Sequence, residues 1–208
     1  MELQRSSRES SGKIRRAPAE PPPSRPCCGI IRSPGAARWR PGDHHGEFAL
    51  ATDIRFASLE RAVLGKMEAG FAAVAGGGAG GRLPALVGRG RAFEILLGGE
   101  DYDGALAEKY GYVNRAIPDS EFEDFVTAYA TRVSGWDHQA IAEIKGFINK
   151  YTRLPDEEFP LHSDAFWGAA GRPEFRSVAA RLFDKGLQER GALEYNLGKD
   201  IAAIAQSA

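Results

Sequence analysis

Two glutamates, Glu47 and Glu68, are the residues whose type and setting best suit catalysis. Glu47 begins a short apolar stretch that we predict to be a helical turn, and Glu68 follows a predicted strand. Paired carboxylates can hydrate an activated double bond, one activating water and the other protonating carbon, or can remove and return a proton when the double bond moves. Spacing alone does not separate such a pair from two solvated surface groups, so both interpretations stay open at this point.

A glycine-rich run after the second glutamate offers a place for the oxygen of a thioester. Gly76 and Gly77 open this run, which leads into a predicted helix containing Arg82. Backbone N–H groups at a glycine-rich helix start can hold an enolate-like oxygen. The alternative is a flexible turn packed against a neighbouring strand. We predict that Arg82 anchors its helix.

The elements that must position these residues indicate an α/β core followed by helices. Short strands are predicted at residues 54–57, 62–64 and 113–117. Helical spacing predicts a helix at 92–97 that stops at Gly98-Gly99 and one at 105–110 that ends at Gly111. Further helices are predicted at 156–167, 173–187 and 192–205, and another is predicted to be capped by Asp119. We expect Trp136 and Trp167 to pack between the later helices.

Several independent motifs in this part of the chain appear in the order typical of one protein family. They are Gly46-Glu47-Phe48-Ala49-Leu50-Ala51, Ala62-Val63-Leu64-Gly65-Lys66-Met67-Glu68, Gly76-Gly77-Gly78-Ala79-Gly80-Gly81-Arg82-Leu83-Pro84 and Val113-Asn114-Arg115. From about residue 46 onward the chain closely resembles the crotonase (enoyl-CoA hydratase/isomerase) superfamily. The resemblance implies an α/β fold with a partial β-β-α spiral core and a helical C-terminal region that builds trimers, often paired into hexamers.

The resemblance also assigns roles to individual residues. Glu47 and Glu68 match the glutamates of the family's Gly-Gly-Gly-x-Glu-Leu-type and Gly-Gln-Pro-Glu-type motifs, which form the acid/base pair of the hydratases. Gly76 is implied to open the helix that faces the acyl group. The substrate is implied to be an acyl-CoA thioester, and no metal or redox cofactor is required beyond coenzyme A as part of that substrate.

The chain departs from the family pattern ahead of the first glutamate. The family has a glycine-rich run there, one of whose N–H groups forms half of the oxyanion hole, whereas this chain has His44 and His45 before Gly46. One of these histidines therefore supplies the corresponding N–H, in a geometry that a Cβ restricts. The two histidines with Glu47 are also metal-ligand types, but without a third spaced ligand we interpret them as exposed loop residues.

Composition and charge divide the chain into three parts. Residues 1–45 are cationic and proline-rich and are predicted to be a disordered tail, 46–135 a truncated spiral core, and 136–208 the helical region. The 27 basic and 28 acidic residues nearly balance, which argues against nucleic acid as a partner, and no apolar run is long enough to cross a membrane. A solvated arm is favoured over a nucleic-acid-binding tail.

Two functional hypotheses follow. In the first, the protein hydrates or isomerises an acyl-CoA, impaired by the missing first half of the spiral. In the second, it is an inert remnant that serves only in assembly, as a homo-oligomer or with complete paralogues. Without upstream strands, those at 54–57 and 62–64 are expected to leave open edges. The adjacent Cys27 and Cys28 indicate free thiols in a reducing compartment, the cytoplasm first and mitochondria second, and not secretion.

Overall fold

The computed structural model describes residues 28–31, 45–189 and 191–206, and these ranges form an α/β arrangement with a helical C-terminal half. The strands are β1 (Cys28–Ile31), β2 (Ile54–Ser58), β3 (Val63–Gly65), β4 (Asp101–Asp103) and β5 (Arg115–Ile117). The helices are α1 (His45–Leu50), α2 (Ala79–Val87), α3 (Arg89–Gly98), α4 (Gly104–Tyr110), α5 (Phe122–Ser134), α6 (His138–Thr152), α7 (Glu158–Ala170), α8 (Pro173–Asp184), α9 (Ala192–Tyr195) and α10 (Leu197–Gln206), with a short 3₁₀ helix at Glu68–Phe71.

Strand β2 is the centre of a three-stranded parallel sheet in the order β1-β2-β5. Its Phe56 is buried and contacts the rings of Phe125 and Tyr129 on α5 edge to face, with centroids 5.1 and 5.2 Å away. The expectation that this strand lacks neighbours is wrong, because β1 and β5 occupy both of its edges. Strand β1 lies inside the segment predicted to be disordered; the rest of residues 1–44 lies outside the described residues.

Strand β3 is also paired, antiparallel to β4, with Leu64 opposite Tyr102. One edge of the strand at residues 62–64, which was predicted to be open, is therefore occupied by β4. The sequence did not indicate β4, because it is three residues long and two of them are aspartates, which are depleted in strands.

Several helices differ from the sequence-based expectation, and the differences at α2, α5 and the C-terminal helix are the most informative. Helix α2 begins at Ala79, with Gly78 as its N-cap, so Gly76 lies in the preceding turn and does not open the helix. Helix α5 begins at Phe122 with Glu121 at the N-cap position, and the carboxylate of Asp119, which was predicted to cap this helix, pairs with Arg61 at 3.0 Å. The last predicted helix is divided into α9 and α10.

Glycines end two of the helices as predicted. Gly99 follows α3 at φ 65° and Gly111 follows α4 at φ 80°. Both angles lie in the left-handed region, which residues with a Cβ rarely adopt.

Two buried clusters lie on either side of the segment that carries Lys66 and Glu68. The first joins α2, α3, β2 and β4 around the fully buried Leu83 and Ile95. The second joins the 3₁₀ helix, through Phe71, to Leu182 of α8 and Ile201 of α10. The C-terminal helices therefore help to hold the turn that begins at Glu68.

Helix α6 is the exception to this packing, since it has no buried residue. Four large side chains on it are each more than half exposed, and we call them the α6 apolar face: Ile144, Phe147, Ile148 and Tyr151. Trp136 and Trp167 are 53% and 67% exposed, so the prediction that they pack between helices is wrong. Among the described residues, no helix has the length and apolar character needed to cross a membrane.

Candidate active site

Glu47 and Glu68 come together on a single buried lysine. The Nζ atom of Lys66 lies 3.2 Å from Oε1 of Glu47 and 3.8 Å from Oε1 of Glu68. The Lys66 side chain is 5% exposed, against 12% for Glu47 and 26% for Glu68. The structure thus unites the two glutamates that the sequence selected, and adds a cation between them.

Local structure explains how the three side chains converge. Glu47 lies in the first turn of α1, and Glu68 begins the 3₁₀ helix. Lys66 follows the last residue of β3, two positions after the buried Leu64. Because alternate residues of an extended chain point to the same side, Lys66 is directed inward with Leu64.

Gly77 allows the side chain of Glu47 to occupy its position. A Cβ at Gly77 would lie 2.4 Å from Cγ of Glu47, which is too close for any real pair of carbon atoms. Arg82 fixes this glycine from the other side, since its guanidinium donates a hydrogen bond to the Gly77 carbonyl and stacks 4.4 Å above the Phe159 ring. Arg82 therefore anchors the glycine turn and α2 to helix α7.

Gly76 contacts a different element from Gly77. A Cβ at Gly76 would lie 2.7 Å from Cβ of Phe166 on α7. The glycine run is therefore a turn closely packed between α1 and α7, and its neighbours at these two positions are helices, whereas the alternative considered from sequence placed it against a strand.

Burial controls the protonation of this site. Desolvation raises the pKa of Glu68 above its ordinary value, Lys66 opposes this effect, and Glu47 adds to it. Burial, assisted by Glu68 and Glu47, raises the pKa of the Tyr112 hydroxyl, so this phenol stays neutral. Oε2 of Glu47 and Oε2 of Glu68 are buried and accept no hydrogen bond from the described residues, while Oε1 of Glu47 is held in the ion pair with Lys66. These oxygens can accept a proton from water or from a substrate carbon.

The structure describes two of the three remaining predicted site residues. His44 lies outside the described residues, His45 is the first residue of α1, and Gly46 follows it with a half-buried position. The prediction that a histidine N–H forms half of an oxyanion hole stays a prediction. In the described ranges, no group of three or more histidine, cysteine, aspartate or glutamate residues is placed to hold a metal ion.

Lys66 is the site residue that sequence reasoning missed. It is part of a motif that resembles the family's, but a lysine near a strand end does not by itself indicate a buried site residue. Two signals could have found it: it shares the inward side of the strand with Leu64, and it stands where the family's Gly-Gln-Pro-Glu-type motif has glutamine.

Comparison with known proteins decides the family. A family model described as enoyl-CoA hydratase/isomerase matches residues 46–165, which is more than half of the chain. The chain belongs to the enoyl-CoA hydratase/isomerase family. It is 36% identical over 104 residues to YngF of Bacillus subtilis, which bears the name enoyl-CoA hydratase/isomerase, and 30% identical over 112 residues to a mitochondrial enoyl-CoA hydratase of Dictyostelium discoideum. These matches cover 50% and 54% of the chain, and 40% of each relative.

Solved structures of the enoyl-CoA hydratase/isomerase family share the fold. A crystal structure described as an enoyl-CoA hydratase of Streptomyces avermitilis matches with TM-score 0.78 and 38% identity, over 84% of this chain and 61% of that one. A second, from Mycobacterium avium subsp. paratuberculosis, matches with TM-score 0.64 and 28% identity, over 69% and 58% of the two chains. The predicted crotonase-type α/β fold with a helical C-terminal region is confirmed, and the chain spans about two fifths of the curated relatives' length.

Proposed function

We propose that the protein adds water to, or moves the double bond of, an enoyl-CoA by acid/base chemistry of Glu47 and Glu68. The observation that carries this proposal is the convergence of both carboxylates on Lys66, beside Gly77, with buried oxygens that accept no hydrogen bond from the described residues. Membership of the enoyl-CoA hydratase/isomerase family supplies the substrate class.

In the proposed hydration, one carboxylate accepts a proton from water while the oxygen of that water bonds to the β-carbon of the enoyl group. The other carboxyl delivers a proton to the α-carbon as the enolate-like thioester oxygen returns to a carbonyl. Backbone N–H groups stabilise the charge on that oxygen. Both proton transfers use carboxyl groups of the chain, so we propose coenzyme A, as part of the substrate, as the sole cofactor.

The proposal is tested by measuring hydration of a short enoyl-CoA by the purified chain. Glu47→Gln and Glu68→Gln should each lower kcat by about 10²-fold or more, since each removes one proton-transfer group. Glu174→Gln, on an exposed position of α8, is the matched control and should keep the wild-type rate. Equal rates in the wild type and both site variants would refute the proposal.

The second hypothesis, an inert remnant that acts in assembly, is favoured by a different observation. The α6 apolar face exposes four large side chains on one helix, and contiguous exposed apolar surface commonly marks a contact between proteins. We propose a homo-oligomer, a trimer or hexamer, as the first occupant and a complete paralogue as the second. Light scattering of the pure chain distinguishes them: a monomer that forms mixed oligomers only when a paralogue is added favours the second.

We propose the cytoplasm as the compartment. Mitochondria are the alternative, because the Dictyostelium relative is named as mitochondrial. Fractionation of cells that express the tagged full chain tests this. Recovery in the mitochondrial matrix would reverse the order of the two compartments.

A further inference from the structure

Lys66 is a third residue beside the two glutamates from which the acid/base activity is proposed. Its side chain is almost completely buried, and it lies within ion-pair distance of both carboxylates. The Gly-Gln-Pro-Glu-type motif that this segment resembles has glutamine at this position, so Lys66 adds a positive charge relative to that motif. A buried lysine must be paired to remain charged, and both of its partners are the residues proposed for catalysis.

The charges of this cluster do not balance when all three groups are ionised. One ammonium and two carboxylates leave one excess negative charge in a largely buried site, where repulsion between like charges is only weakly screened. The less costly state keeps one carboxylate paired with Lys66 and places a proton on the other carboxyl. Lys66 therefore makes the two glutamates unequal.

Geometry selects which glutamate pairs more closely with Lys66. Nζ of Lys66 lies nearer to Glu47 than to Glu68, at 3.2 against 3.8 Å, and Glu47 is the less exposed of the two. The attraction of the lysine is therefore greater at Glu47. Glu68 is farther from the cation and more open to solvent, which suits a group that exchanges its proton.

The other ionisable groups packed around the site do not replace Lys66. Tyr112, which follows α4, is buried and neutral, and Tyr102 of β4 lies beside it with its pKa raised to about 12 by burial first and then by nearby glutamates. Arg55 of β2 faces Tyr112, but its guanidinium donates to the carbonyl oxygens of Tyr112 and Thr52. Arg82 of α2 donates to the carbonyl of Gly77.

We propose that Lys66 is a positioning residue: its ammonium group pairs with Glu47 in preference to Glu68, so that Glu68 is the group that exchanges its proton. This inference rests on the proposed function for its catalytic consequence. Its electrostatic part concerns the free protein alone and can be measured without a substrate.

The decisive measurement is a carboxyl ¹³C NMR titration of the free protein labelled at glutamate, with the Glu68 signal assigned by its loss in Glu68→Gln. Lys66→Gln, which restores the family's residue, should move the Glu68 titration to higher pH because it removes the nearby cation. Glu47→Gln should move it to lower pH, because it removes the like charge and leaves the lysine to Glu68. Lys66→Arg keeps the cation and should leave the titration close to that of the wild type.

The enzymatic consequence is read from pH profiles of kcat/KM. In Lys66→Gln the acidic limb should move to higher pH and kcat at neutral pH should fall by about tenfold or more, while Lys66→Arg restores much of the rate. A Glu68 titration that is the same in the wild type, Lys66→Gln and Glu47→Gln would overturn the role of Lys66. If Lys66→Gln does not fold, Glu47→Gln alone still decides, since an unchanged or upward shift in it contradicts the proposal.

Failure of this inference is distinguishable from failure of the proposed function. A wild-type chain that hydrates no enoyl-CoA but shows opposite Glu68 shifts in the two variants would refute the activity and retain the electrostatic role. If the wild type and Lys66→Gln both hydrate enoyl-CoA with the same pH profile of kcat/KM, the proposed activity is retained and the role of Lys66 is refuted.

Discussion

The candidate active site and helix α6 both depart from the usual distribution of side chains: the site buries charged groups, and α6 exposes apolar ones. At the site, Lys66 and Glu47 are nearly buried, although charged groups favour water. On α6 the large apolar side chains are exposed and none is buried. Buried charge and exposed apolar surface both cost stability in an isolated chain, so each region fits a role outside folding: the proposed proton transfer at the site and the proposed contact with another surface at α6.

The largest expected difference between the two regions is in the free energy of unfolding. Leu83→Ala, at a fully buried position of α2 in the cluster next to the site, should destabilise the fold by about 2–5 kcal/mol. Phe147→Ala, at a 65% exposed position, should change the unfolding free energy of the monomer by less than about 0.5 kcal/mol. Urea denaturation at low protein concentration measures both.

The Phe147 variant also sharpens the proposed role of the α6 apolar face. If a second copy covers this face, Phe147→Ala should weaken association in sedimentation experiments while leaving the monomer stable. A large loss of monomer stability would mean that α6 packs within its own chain, and the contrast between the two regions would then be wrong.

The next largest effect should come from the contact between Gly77 and Glu47. In Gly77→Ala the new Cβ displaces the Glu47 side chain, and misplacing a catalytic group by about 1 Å can cost about 10²-fold in rate. Gly90→Ala is the matched control, because a Cβ there meets nothing within 4 Å in helix α3. Enoyl-CoA hydration by the two variants gives the comparison, and equal rates would show that the position of Glu47 does not limit the reaction.

The same contrast explains what the sequence could predict. Glu47 and Glu68 were identified because their motifs occur in family order, and helix ends at Gly99 and Gly111 because left-handed backbone favours glycine. These signals are local. The sequence-based predictions failed where the outcome depends on distant partners: β4 forms because β3 lies beside it, and Trp167 is exposed although it was expected to pack between helices.

Lys66 shows the same limit at the site itself. Its type and its position after β3 are visible in the sequence, but nothing local indicates that α1 brings Glu47 within 3.2 Å of it. The partner comes from a different element, and only the packing of α1 against the glycine turn sets that distance. The sequence could have indicated Lys66 as a site residue, but its place between the two carboxylates is seen only in the structure.

A smaller effect should appear in the pH dependence of stability at the site. The pKa of Glu68 is raised in the folded state, mainly by burial, so its contribution to stability is fully present below the ordinary glutamate value and is lost as pH rises through the raised value. Glu68→Gln removes this ionisation. Its melting temperature relative to the wild type should therefore increase as the pH rises from 4 to 8, and a constant difference across that range would contradict the assigned shift.

The smallest effect is expected where α6 contacts Asp53, the residue before β2. Nζ of Lys145 lies 2.8 Å from Oδ2 of Asp53, with side chains 22% and 27% exposed. Asp53→Ala should lower global stability by no more than about 1 kcal/mol, since partly exposed ion pairs contribute little and are screened by salt. Because α6 has no buried side chain, loss of this contact should speed hydrogen exchange in α6 more than in α2.

The control for this last change is Asp156→Ala, which removes the pair between Arg153 and the 71% exposed Asp156 at the other end of α6. It should leave exchange in the middle of α6 unchanged, because that pair joins two residues of neighbouring sequence and does not attach the helix to the sheet. If Asp53→Ala and Asp156→Ala alter α6 equally, the ion pair with Lys145 is not what holds the helix against the core. In that case the attachment of α6 depends on whatever surface covers its apolar face, and raising the protein concentration should slow exchange in both variants.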